Sequence, residues 1–80
     1  MTNALPTLSP VLHEIHVHVV SAEEASLGVA EFWSGDRLIA FTLIEDGDLT
    51  LRIGGPDGVV LGAHALAEAL AEANRLLALH

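Results

Sequence analysis

His16 and His18 stand one residue apart in a stretch, His13 to Val20, that alternates polar and β-branched side chains. Residues two apart on a strand project from the same face, so both imidazoles can reach one ion, with Glu14 beside them. Glu31, His64 and His80 are the residues able to complete a coordination shell. The same spacing arises wherever an alternating strand carries two histidines. The competing expectation is therefore a histidine pair hydrogen-bonded at a sheet face or interface. That expectation is favoured: no cofactor is expected, and His16 and His18 stay as the candidate metal ligands.

Other chemistry finds less support. Gly54-Gly55-Pro56-Asp57-Gly58 precedes a helical stretch, but a phosphate cradle uses backbone donors and commonly a lysine. Pro56 removes a donor, Asp57 repels phosphate, and the chain has no lysine. Ser9, Ser21, Ser26 and Ser34 lack a nucleophile elbow or a local histidine partner. Glu31 interrupts an apolar run beside Trp33, which makes it the candidate for acid–base chemistry unless the side chain reaches solvent at the sheet edge. An enzyme confined to one small protomer is not expected, because such a domain has little room for a substrate cavity. A site between protomers around His16 and His18, binding a metal or small ligand, is the alternative.

Composition narrows the classes further. The chain has 80 residues, enough for one domain, and 11 acidic groups against 3 arginines give a formal charge of −8. Nucleic-acid and anionic-membrane binding require basic patches, so neither partner is expected. Cysteine is absent, which excludes disulfides and thiol chemistry. No apolar run is long enough to span a bilayer and no basic leader is visible, so the expected location is the cytoplasm. Abundant Ala, Leu, Val and Gly without lysine suit a GC-rich bacterial genome. Half the residues are hydrophobic, 51%, yet only 18% are charged. A domain this small then exposes apolar surface or covers it with another chain.

The elements follow from period and punctuation. Residues 1–12, with Pro6 and Pro10, read as a flexible arm, and 13–80 as one ββββα domain. Strands are predicted over His13 to Val20, Leu27 to Trp33, Arg37 to Ile44 and Leu49 to Ile53. Ser21-Ala22-Glu23-Glu24 carries the capping-box pattern of a very short helix. Gly35-Asp36 and Asp46-Gly47 mark hairpin turns. From Ala63 to about Leu79 the pattern is helical, with Leu66, Leu70, Ala73 and Leu77 on one stripe.

The predicted fold is thus α+β: a four-stranded antiparallel meander sheet with one C-terminal helix packed on one face. Pairing about the turns assigns Leu27, Val29, Trp33, Leu38, Ala40, Ile44, Leu49, Leu51 and Ile53 to the face under the helix. The opposite face collects Ala30, Phe32, Ile39, Phe41 and Leu43, an apolar set that one helix leaves bare. Those five are the expected interface of a homodimer, packed sheet on sheet. The functional expectation is a small acidic protein-interaction module, such as an inhibitor, immunity-type protein or accessory subunit. Its acidic turns suit a basic protein partner.

Overall fold

The structure is a computed structural model that describes residues 14–54 and 60–80. The expected arm over 1–12 and the Gly55–Gly58 part of the glycine loop lie outside the described residues. The elements are β1 (His16–His18), α1 (Ala22–Ser26), β2 (Glu31–Ser34), β3 (Arg37–Glu45), β4 (Asp48–Ile53) and α2 (Ala63–Ala78). The strands form one antiparallel sheet in the order β1-β2-β3-β4. This is the α+β meander that the sequence predicts.

Each turn has a chemical cause. Ser21 Oγ accepts the Glu24 amide at 3.1 Å and caps α1, as the Ser-x-x-Glu spacing predicts. Between β3 and β4, Asp46 and Gly47 both take positive φ, 53° and 85°. That is the turn whose twist matches the strands it joins. A Cβ at Gly47 meets nothing within 4 Å, so the cost of Gly47→Val is backbone strain alone. The expected loss is about 1 kcal/mol or more, read as a lower urea midpoint with an unchanged slope.

The β3–β4 register agrees with the sequence reading: Ile44 lies opposite Leu49, Thr42 opposite Leu51 and Ala40 opposite Ile53. The β2–β3 register does not. Trp33 pairs with Leu38, but Phe32 pairs with Ala40, leaving Ile39 as an extra residue in β3. Such a bulge turns neighbouring side chains to the same side. Ile39 and Ala40, adjacent in sequence, are both buried at 1% exposure.

This corrects the predicted faces. Ala30, Phe32 and Ile39 do not lie on a bare face. They join Ala40 beneath α2, whose Ala69 and Ala73 allow close approach of helix to sheet. Val17, Leu51, Leu66, Leu70 and Leu77 ring this core, so the helical stripe read from the sequence is the packed one. Trp33 and Leu38 move to the face away from α2, together with Phe41 and Leu43, which are half-buried.

The helix sits at one side of its face, along β1. On the β3–β4 side of that face, Ile44 (50% exposed), Leu49 (40%) and Ile53 (54%) remain uncovered. Gly28, with φ of +75°, fits against this strip: a Cβ there would clash with Ile44 Cγ1.

Candidate functional site

β1 is an edge strand of alternating exposure, with Ile15, Val17 and Val19 turned to the core and His16 and His18 exposed. His16 lies opposite Trp33 and His18 opposite Glu31. A cleft of about 500 Å³ runs over this corner, lined among others by His16, His18, Glu31, Trp33 and Asp36. The Trp33 indole N–H donates to Glu31 Oε1 at 3.0 Å, so the ring and the carboxylate hold each other. The sequence reading that Glu31 lies beside Trp33 is therefore a bonded contact.

A second cleft, about 370 Å³, separates the β1 edge from α2 and is walled by Ala65, Glu68, Ala69 and Glu72. The other ligands suggested for the histidines are spread out. His64 faces Glu68 at 3.5 Å on an exposed flank of α2, and His80 lies beyond the helix end. Among the described residues no three metal-ligating side chains come together.

One titratable group escaped the sequence reading. Glu24, on α1, is turned toward Glu31 of β2. Its Oε1 is buried with no hydrogen-bond partner among the described residues. Burial first, then the Glu31 charge, pushes the Glu24 carboxyl above its ordinary value of 4.5, although a backbone hydrogen bond at Val20 opposes the rise. A folded-state pKa above the unfolded one means that the stabilising form is the protonated acid. That contribution is complete below about pH 4.5 and is lost as pH rises through the raised value. Glu24→Gln is therefore expected to raise Tm at pH 7 by roughly 2–4 °C. Below pH 4.5 the variant and the parent should melt alike. A Tm gain of equal size at both pH values would mean that Glu24 is not acting through its charge.

The third feature is the strip of Ile44, Leu49 and Ile53 with its strand edge. β4 carries Asp48, Thr50 and Arg52 on the face away from α2, and Arg52 is ion-paired with Glu45 of β3. That pairing, then the Thr50 hydroxyl, hold the Glu45 carboxyl below the usual carboxylate range. The sequence pattern assigns Ile44, Leu49 and Ile53 to the face that α2 packs on, but the helix leaves them uncovered. No helix among the described residues is long and apolar enough to cross a membrane. No protein family, curated protein or solved structure matches the chain.

Proposed function

We propose that this chain is a small acidic, non-enzymatic protein-interaction module that acts as a homodimer, of the inhibitor, immunity-type or accessory-subunit kind. The observation that carries this reading is the uncovered strip of Ile44, Leu49 and Ile53, each 40–54% exposed. Fully burying such a side chain is worth about 1.5–3 kcal/mol, and these three hold back a large part of that until a second surface covers them. The acidic residues Asp36, in the β2–β3 turn, and Asp46 and Asp48, at the β3–β4 hairpin, are all exposed. They suit faster association with a basic protein.

Sedimentation over a micromolar concentration range tests the reading. The expected mass is twice the 8.4 kDa chain, falling to one chain in Ile53→Glu with its circular dichroism intact. A wild-type mass of 8.4 kDa throughout would discard the homodimer. The cleft at His16 and His18 favours one other reading, a metal- or small-ligand-binding protein with its site completed between protomers. Stoichiometric zinc that survives dialysis, and is lost in His16→Ala/His18→Ala, would replace the first reading with this one.

A further inference from the structure

The two edges of the sheet are unlike. The β1 edge is three residues long and looks onto a cleft walled by Glu68 and Glu72. The β4 edge is six residues long and keeps an unbroken register with β3. It contains no proline, no lysine and no bulge, three of the devices that stop an edge from pairing, and its only charged residues are Asp48 and Arg52.

The edge also has a defined hydrogen-bonding phase. The Gly54 amide donates inward to Ile39 O at 2.9 Å. Backbone direction alternates along an antiparallel strand, so Arg52, Thr50 and Asp48 also bond toward β3. The N–H and C=O groups of Leu49, Leu51 and Ile53 therefore point away from the sheet.

From these features, and resting on the homodimer reading above, we propose that two copies join edge to edge, β4 against antiparallel β4, centred on Thr50. A two-fold axis perpendicular to the sheet keeps each face continuous, so only residues on the same face can lie opposite one another. Centring on Thr50 sets Leu49 against Leu51 of the second copy, and both carry outward-pointing backbone groups. It also sets Asp48 against Arg52 of the second copy, twice by symmetry. Arg52 then lies between Glu45 of its own β3 and the incoming Asp48. Centring on Leu51 instead would place Arg52 against Thr50 and Asp48 against Gly54, with no charge matched. Of these two registers the charge pattern of β4 favours the first, and it points to a second copy of this chain as the occupant. The dimer doubles the four-stranded sheet and brings the uncovered strips of the two copies side by side.

The chain has no cysteine, so a single introduced thiol reports the register. In the Thr50-centred dimer, Thr50 faces its own copy as a non-hydrogen-bonded pair, with Cα atoms about 4.5 Å apart, within disulfide reach. Thr50→Cys should cross-link almost completely under mild oxidation, and Leu51→Cys should not. Because the Thr50 hydroxyl binds Leu43 O and Glu45, a charge-swap pair supplies an independent readout. Asp48→Arg and Arg52→Asp should each raise the dimer Kd by roughly tenfold or more, since like charges then face each other. An equimolar mixture of the two variants should recover wild-type affinity as a heterodimer.

Cross-linking through Leu51→Cys in place of Thr50→Cys would overturn the register. A wild-type dimer that neither cross-links at position 50 nor regains affinity in the mixture would overturn edge pairing and leave the homodimer standing. A wild-type protein that is monomeric at every concentration would remove both.

Discussion

Phe32→Ala is expected to destabilise the protein by about 3–5 kcal/mol, the range for removing a fully buried ring. Phe32 has no exposed surface and lies between Val17 of β1 and Ala40 of β3, under α2. Its neighbours Ala30, Ala40, Ala69 and Ala73 are small. They have no side-chain length with which to fill the space that the ring leaves. A domain of this size has a total stability on the order of 4–12 kcal/mol, so the variant should be largely unfolded at a modest urea concentration. Phe41→Ala is the control. Phe41 is half-buried on the face away from α2, and its loss should cost clearly less. Equal urea midpoints for the two variants would contradict the placement of the helix.

The two phenylalanines also mark where the sequence was readable and where it was not. Element order, both hairpin turns, the α1 cap and the α2 stripe rest on local signals: period, glycine at positive φ, and a serine three residues before a glutamate. The β3–β4 pairing was equally legible, because a two-residue turn fixes every partner beyond it. The β2–β3 pairing starts from an equally good turn but carries the bulge at Ile39. One extra residue reverses the face of everything beyond it. No residue type in Phe32-Trp33 or Leu38-Ile39-Ala40 announces that bulge, since both faces are apolar there and either register buries hydrophobic surface.

The candidate surfaces show the same division. Glu31 and Trp33 are two residues apart, so their contact was readable from strand geometry. The approach of Glu24 to Glu31 depends on how α1 folds back over β2, which spacing does not encode. The uncovered strip depends on where α2 lies across the sheet. Charged Glu68 and Glu72 take the flank near β1, and Ile44, Leu49 and Ile53 are left without a cover because the chain supplies only one long helix among its described residues.

Thr42→Val should cost about 2–6 kcal/mol although it changes side-chain volume very little. Thr42 is the only buried polar residue among those described, at 1% exposure. Its hydroxyl donates to Gly28 O at 2.7 Å and accepts the Ala30 amide at 2.8 Å. Here the chain entering β2 has left the regular ladder: the Thr42 amide still reaches Ala30 O at 2.9 Å, but Ala30 N–H bonds to the side chain instead of a carbonyl. Valine would strand one buried donor and one buried acceptor, each worth about 1–3 kcal/mol when unpaired. Thr42→Ser keeps the hydroxyl and loses one methyl, so its cost should stay near 1 kcal/mol. Hydrogen exchange gives a local readout: the Ala30 amide should become the most strongly deprotected site in Thr42→Val and stay slow in Thr42→Ser. Were the two variants equally destabilised, the methyl and not the hydroxyl would be holding β2 in place. The consequence reaches the surface, because this bridge sets the entry of β2, and β2 carries Glu31 and Trp33 to their positions opposite His18 and His16.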